Sequence, residues 1–400
     1  MSWEKTKIGD HCEITSSKRI FYSEYTDSGV PFYRSKEIIE SSQGQPISEP
    51  LYISTDKYND IKSKFGVPLP GDMLLTSVGT IGIPYIVRTD DYFYFKDGNL
   101  TWFRNFDDSL SSKFLCYWIG SKDGYGVLNN TTIGSSQKAL TISSLKQIEC
   151  PLPPIEVQNR IVDILSAYDA LIENNQKQIK LLEEAVQRLY KEWFVNFRFP
   201  GYEDTPIVDG VPEGWTLGEL GDIAIDSGKK EKKEHRGQYR YYLSIDCLPK
   251  RSLAYTDKND ITLAESSLVA FMPNDILFGA MRPYFHKVVV ARDKGLTRST
   301  CFVINSKMPA YWAYLLLLLF SKDTVDYATQ ISVGTTMPYV RWKDFIHMPT
   351  LIPPEEKCDA FQAIVLPIIE RISCLAVSSE RLIQARDRLL PKLMSGEIEV

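Results

Sequence analysis

Histidine is scarce in this 400-residue chain: His11, His235, His286 and His347 are the four present, and they lie far apart. None stands in an H-E-x-x-H or Cys/His array with metal-ligand spacing, which argues against a zinc hydrolase. The seven cysteines (12, 116, 150, 247, 301, 358 and 374) form no C-x-x-C pair and no even framework, so they read as free thiols of a reducing compartment. Walker A, G-x-G-x-x-G and G-x-S-x-G motifs are all missing. "TSVGTIGIP" (76–84) carries glycines but no lysine, and reads as a tight turn between strands. The Asp/Asn-Pro-Pro-aromatic motif of an amino-methyltransferase is absent too, because both Pro-Pro pairs follow aliphatic residues and precede Ile or Glu. A loose Mg²⁺ set can be assembled from Asp226, Glu231 and Lys233, but "KKEKKEH" is a charged low-complexity stretch and reads as a solvated loop. The start "MSWEKTKIGD" has no apolar core, so no secretory signal is expected. The most apolar run, "YWAYLLLLLF" at 311–320, is half the roughly 20 residues of a membrane span, and a buried helix is expected there. The expectation is a soluble, cytoplasmic protein with no membrane segment, no metal site and no catalytic residues of its own.

Positive charge is not in excess either: the net charge is −5. Its distribution is uneven. Residues 212–350 carry 18 Lys and Arg against 15 Asp and Glu, whereas 154–211 carry 6 against 10. A locally basic surface can meet phosphates on an otherwise acidic chain.

What the chain has in abundance is itself. "PLPPIEVQ" (151–158) returns as "LIPPEE" (351–356), "SKD" (121–123) returns at 321–323, and "IGSS" (133–136) becomes "VGTT" (333–336). "PGDMLL" (70–75) matches "PNDILF" (273–278), and "WEKTKIGD" (3–10) matches "WTLGELGD" (215–222). A colinear series of this kind means tandem duplication. Each copy opens with short β-prone aromatic runs broken by Gly, Pro, Asp and Asn: 29–38, 72–87 and 91–104, then 239–248, 275–291 and 299–305. Helices are expected at 111–121 and 309–320. Each copy reads as α+β with a curved or barrel-like sheet.

A long helix then follows each Pro-Pro pair, which cannot continue the preceding element and fixes the entry into the helix. Apolar positions spaced 4 and 3 run through Ile161, Leu165, Tyr168, Ile172, Asn175, Ile179, Leu182, Val186, Leu189 and Trp193. The second copy gives Phe361, Val365, Ile368, Ile372, Leu375, Ser379, Leu382, Arg386, Leu389 and Leu393, with Pro367 and Pro391 interrupting its regularity. The 3.5-residue period is that of a coiled-coil seam.

The segments 132–194 and 332–357, with "WEKTKIGD" and the linker "VPEGWTLGELGDI", resemble the specificity subunit of type I DNA restriction-modification systems, over essentially the whole chain. The resemblance implies an α+β chain with two target recognition domains, 1–153 and 213–352. A central spacer helix (154–199), a linker (200–212) and a C-terminal spacer helix (353–400) complete it, and the two helices form an antiparallel coiled coil in a pseudo-two-fold tandem repeat. It implies a non-catalytic chain that reads a bipartite, asymmetric sequence of double-stranded DNA and recruits two methyltransferase subunits, with motor-nuclease restriction subunits in complexes that have them. S-adenosylmethionine, and ATP with Mg²⁺, would belong to those partners; none is expected in this chain. Readout by Arg, Lys, His and short polar side chains at loop tips makes Arg34, Ser77, Thr80, Ser135, Ser136, Gln137 and Lys138 candidates in the first half. In the second half they are Lys229, Lys230, Arg236, Arg240, Arg282, His286, Lys287, Thr335, Thr336 and Arg341. The alternative is a protein–protein adaptor with two binding heads on a rod and no nucleic acid. A two-fold axis through the middle of the 161–193 seam predicts that partners across it satisfy i + j = 554. That sets Asn175 against Ser379 as a polar layer and lays Arg386 on the ring of Tyr168.

Overall fold

The computed structural model describes residues 3–44, 47–132, 138–264 and 267–400. They divide into two compact units, Met1–Glu173 with Leu382–Val400, and Asn174–Arg381. The division falls inside both long helices rather than at 153/154 and 352/353, because the two ends of each helix are buried in different cores. Ile161, Leu165 and Leu393 belong to one core, while Ile179, Val186, Phe361 and Val365 belong to another.

In the first unit an antiparallel sheet runs in the order Glu13–Thr15, Leu100–Arg104, Met73–Thr76, Pro84–Ile86. Met73–Thr76 is buried at all four positions, as a central strand covered on both faces must be. A second sheet orders Tyr25–Thr26, Leu51–Ile53, Val30–Tyr33 and Tyr94–Phe95, the last two parallel. Lys5–Lys7 pairs with Glu149–Pro151.

The second unit repeats the first sheet and the parallel pair of the second, but its second sheet has five strands, adding Lys229–Glu231 and Leu268–Phe271, and does not repeat the pairing of Tyr25–Thr26 with Leu51–Ile53. Leu217 pairs with Leu351 where Lys5 pairs with Pro151. Ile276 pairs with Ile304 where Met73 pairs with Phe103. Tyr242 runs parallel to Leu296 where Phe32 runs parallel to Tyr94. The repeated "SKD" proves to be a helix N-cap: Ser121 Oγ accepts from Gly124 N–H at 3.1 Å and Ser321 Oγ from Thr324 N–H at 3.2 Å. The repeated "GD" marks a close approach. A Cβ on Gly9 would stand 2.8 Å from the Lys146 carbonyl oxygen, and one on Gly221 3.3 Å from that of Ile346.

Several helices had no counterpart in the strand-and-turn reading: Ser35–Ser42, Thr55–Phe65, Lys122–Thr131 and Lys322–Gln330. Each is short and set off by a local cap, a weaker signal than apolar periodicity. The apolar run became Trp312–Leu319, buried at every position but Leu318.

Ile155–Tyr190 and Glu355–Met394 are the two long helices. The carbonyl oxygens of Pro154 and Pro354 accept their first helical hydrogen bonds, from Gln158 N–H and Cys358 N–H. Gln158 is fully buried and fully paired: its amide donates to Ser109 O and Pro153 O, and its oxygen accepts from Ser111 N–H. The helices run antiparallel in each unit. In the first, Asp169 meets Arg386 while Ile161 and Leu165 share a core with Leu393. In the second, Trp193 meets Phe361 and Asn175 meets Ser378.

Of the seam positions, Ile161, Leu165, Ile172, Asn175, Ile179, Val186, Trp193, Phe361, Val365, Ile372, Leu375, Ser379 and Leu393 are buried. Tyr168, Leu182, Leu189, Ile368, Leu382, Arg386 and Leu389 are half-buried. Ile369 is buried more deeply than Ile368. The step from 361 to 365 to 369 is two fours in succession, which follows the 3.6-residue period of a straight helix rather than the 3.5 of a supercoil. Glu355–Met394 is long and apolar enough, by length and composition, to cross a membrane; here Phe361, Val365, Ile372 and Leu375 lie in the core of the second unit.

Two polar expectations shift. Asn175 Nδ2 donates to Ser378 Oγ at 3.3 Å, one residue from Ser379. Arg386 lies not on the Tyr168 ring but against Asp169, at 2.6 Å, and that carboxylate also accepts the Tyr117 hydroxyl at 2.5 Å. A carboxylate one position along the helix outcompetes a ring face for a guanidinium.

Candidate nucleic-acid interface

Reading bases requires outward-facing donors and acceptors on firmly held loops. In the first unit the loop after Met73–Thr76 is clamped by its neighbours: Ser77 N–H donates to Asn99 O at 2.8 Å, Leu140 N–H to Ser77 O at 2.9 Å, and Val78 bridges Ala139. The second unit repeats the clamp. Ala280 N–H donates to Thr300 O at 2.9 Å, Val340 N–H to Ala280 O at 3.0 Å, and Met281 bridges Tyr339. The segments 138–140 and 333–341 are thus held beside the loops that begin at Ser77 and Ala280.

Four candidates prove to be structural. Ser77 is buried, its hydroxyl bonded to Thr101 Oγ1 at 2.6 Å and to Leu75 O at 3.2 Å, so it cannot reach a groove. Arg34 precedes the helix Ser35–Ser42 and grips Glu37 at 2.6 Å. Burial alone would raise the Glu37 pKa; the bonds from Arg34 outweigh it and hold the carboxylate below its usual range. His286 puts Nε2 2.9 Å from Phe320 O and its ring edge-on to Phe320, and burial pushes its pKa down. Lys287 donates to Ile245 O at 2.6 Å, and burial likewise lowers its pKa.

The other candidates are more accessible. Thr80, Lys229, Lys230, Arg240, Thr335 and Thr336 are exposed. Lys138 reaches Asn129 Oδ1 at 2.9 Å, and Arg236 donates to Ala264 O at 2.7 Å. Arg341 pairs with Asp344 at 2.5 Å. Arg282 is half-buried and donates to Thr336 O at 3.3 Å, which brings two candidates together. Ser135, Ser136 and Gln137 lie outside the described residues.

Register places further residues at matching positions in the two units. Ile14 and Asp226 hold equivalent places in their sheets, so Ser17 and Lys18 stand where Lys229 and Lys230 do. Lys18 lies 4.4 Å from the Phe65 ring centroid, and Phe21 and Tyr22 just beyond it are exposed. No motif flags this segment, since its likeness to the basic loop lies in position rather than composition. Arg298, at the end of the strand Gly295–Arg298, is half-buried, with its guanidinium 5.8 Å from the Tyr242 ring centroid.

The loose nuclease set does not converge. Asp226 and Glu231 lie in different sheets; Asp226 accepts from Gly228 N–H, and Glu231 from the Tyr239 hydroxyl at 2.8 Å. Among the described residues no group of three or more His, Cys, Asp or Glu side chains is placed to hold a metal.

Comparison with known proteins agrees with this architecture. The family description "Type I restriction modification DNA specificity domain" matches residues 1–184. The type I restriction enzyme MjaIX specificity subunit of Methanocaldococcus jannaschii is 28% identical over 428 residues, spanning 100% of this chain and 94% of that protein. The MjaVIII specificity subunit of the same organism is 23% identical over 309 residues, covering 73% of this chain and 71% of that one. A crystal structure of a type I restriction-modification S subunit from M. genitalium shares the fold with a TM-score of 0.59 at 16% identity, covering 98% of this chain and 96% of that one. With the duplicated α+β units and the antiparallel helix pair, these likenesses carry one conclusion: residues 1–184 match the type I restriction-modification DNA specificity domain, and the chain is similar to type I specificity subunits along its whole length.

Proposed function

We propose that this chain reads a bipartite, asymmetric DNA target, one half-site for each unit, and performs no chemistry itself. In this reading it recruits two methyltransferase subunits, which hold S-adenosylmethionine, and restriction subunits with ATP and Mg²⁺ in complexes that have them. The complex acts on double-stranded DNA in the cytoplasm. The paired helices serve as the spacer between half-sites.

The observation that carries the proposal is a duplicated scaffold with unlike loops. Register repeats in the sheet built on Met73–Thr76 and Ile276–Gly279, yet Gly79 stands where Arg282 does, and Ser17 and Lys18 stand where Lys229 and Lys230 do. One scaffold with two sets of loop side chains suits a target made of two different sequences.

Methylome sequencing of cells expressing this chain with its methyltransferase tests it. A single two-part motif with unequal halves is expected. Absence of any two-part motif, with the purified complex binding DNA no more weakly at high salt than at low, would overturn the reading in favour of an adaptor, because phosphate contacts make DNA affinity fall steeply with salt.

A further inference from the structure

Seven residues other than glycine have positive φ among the described residues, and Arg282 is one, at φ 50°. Its counterpart in the first unit is Gly79, at φ 79°. The match is fixed by register: Val78 bridges Ala139 and Met281 bridges Tyr339, each one residue earlier. Glycine takes the left-handed region without strain; a long side chain does so at a cost, and such residues persist where the surrounding structure holds them, often at functional sites. Here the hold is visible. Arg282 N–H donates to Pro338 O at 2.7 Å and Nη2 to Thr336 O at 3.3 Å.

The guanidinium is also unusual in its company. Arg34, Arg104, Arg292 and Arg386 are half-buried, and each is paired with a carboxylate. Arg282 and Arg298 are half-buried as well, but neither has a carboxylate partner among the described residues: Arg298 lies 5.8 Å from the Tyr242 ring centroid, and in both, as in Arg292, the Nε is buried without an acceptor. The two flank one junction, where the strand Ile276–Gly279 leaves its partner Cys301–Ser306 and Ala280 N–H still bonds Thr300 O. A half-desolvated guanidinium without a counter-charge is unfavourable in the free protein and becomes satisfied when acceptors arrive.

We propose that Arg282 is a specificity-determining residue of the second half-site and reads the O6/N7 edge of a guanine, with Arg298 as a second donor at the same junction. This rests on the DNA-reading function proposed above and goes beyond it. Guanine offers two acceptors at the spacing of an arginine fork. The first unit has Gly79 at this place, so its half-site is read without this contact.

The test uses the whole complex of this chain with its methyltransferase and compares Arg282→Gly, Arg298→Ala and the unmodified chain by methylome sequencing. It adds binding to duplexes that carry each base in turn along the second half-site. Arg282→Gly restores the residue of the first unit and relieves the backbone, so its melting temperature should not fall. Its motif should lose the requirement for one G·C pair in the second half-site, with discrimination there falling about 10- to 100-fold and the first half-site unchanged. Arg298→Ala should relax the same half-site. Uniform weakening on all duplexes with the motif intact would make Arg282 a phosphate contact and overturn the assignment, as would relaxation in the first half-site. An unmodified complex with no two-part motif would overturn the underlying function as well.

Discussion

The rings of Trp193 and Phe361 stand 5.4 Å apart, at an interplanar angle of 55°. Their numbers sum to 554, the value set by placing a two-fold axis through the middle of the first seam. Asn175 and Ser378 sum to 553, and Asp169 and Arg386 to 555. One antiparallel register therefore accounts for contacts in both units. Its polar members decide what mutation there should do.

Asn175 turns to Ser378, and the Ser379 hydroxyl is left buried without a hydrogen-bond partner among the described residues. Removing an unsatisfied group costs nothing and relieves desolvation. Ser379→Ala should therefore stabilise by about 1 kcal/mol, raising the melting temperature by roughly 2–4 °C for a unit of this size. Asn175→Ala should instead lower it. Calorimetry of both variants checks the pair, and a lower melting temperature for Ser379→Ala would mean that its hydroxyl has a partner.

Asp169 holds Arg386 and Tyr117 together. Asp169→Asn should weaken the first unit by about 1–2 kcal/mol, between the worth of an exposed ion pair and that of a buried one. Urea unfolding should show the loss, and Asp169→Asn in an Arg386→Leu background should cost clearly less. Equal costs in both backgrounds would show that the two side chains do not interact.

Glu183, on the first long helix, is buried and accepts from Ser252 Oγ and Leu253 N–H, both at 2.7 Å. Burial raises its pKa to about 7 in spite of these bonds. An acid whose folded pKa lies above its unfolded value holds more protons folded than unfolded between the two. Stability contributed by this residue is thus greatest below about pH 4 and falls as pH rises toward 7. The loss is on the order of 3 kcal/mol. Glu183→Gln keeps the acceptor and removes the ionisation, so its stability should depend less on pH over that window. Chemical unfolding at pH 5 and 7.5 measures it; an identical pH slope in the variant would exclude Glu183 as the source.

Gly9 leaves no room for a side chain beside the Lys146 backbone, whereas Gly126 in the helix Lys122–Thr131 has nothing within 4 Å of the position its Cβ would take. Gly9→Ala should destabilise by roughly 1–3 kcal/mol. Gly126→Ala should stabilise by about 0.5–1 kcal/mol, the helix-interior difference between the two residues. Opposite shifts in melting temperature are the expected result; a shift of the same sign for both would contradict the packing described.

Local and repetitive features could be read from the chain alone. Pro153-Pro154 and Pro353-Pro354 announce helices because proline constrains its own neighbours. The period through Ile161, Leu165 and Ile172 marks a buried seam because side-chain direction follows residue number along a helix. The duplication needs only comparison of the chain with itself, and it foretold the α+β units and their repeated register.

Spatial competition lay beyond it. Ser77, His286 and Lys287 have the side chains of groove readers, yet Thr101, Phe320 O and Ile245 O claim them. Those partners are 24, 34 and 42 residues away, and no local rule pairs them. Arg386 found Asp169 rather than Tyr168 for the same reason. Arg282 and Gly79 look unrelated until strand pairing sets them in one place. Period, punctuation and repeat are properties of the chain and can be read along it. Which donor meets which acceptor, and which arginine is left without a carboxylate, is settled only when distant segments compete for the same space.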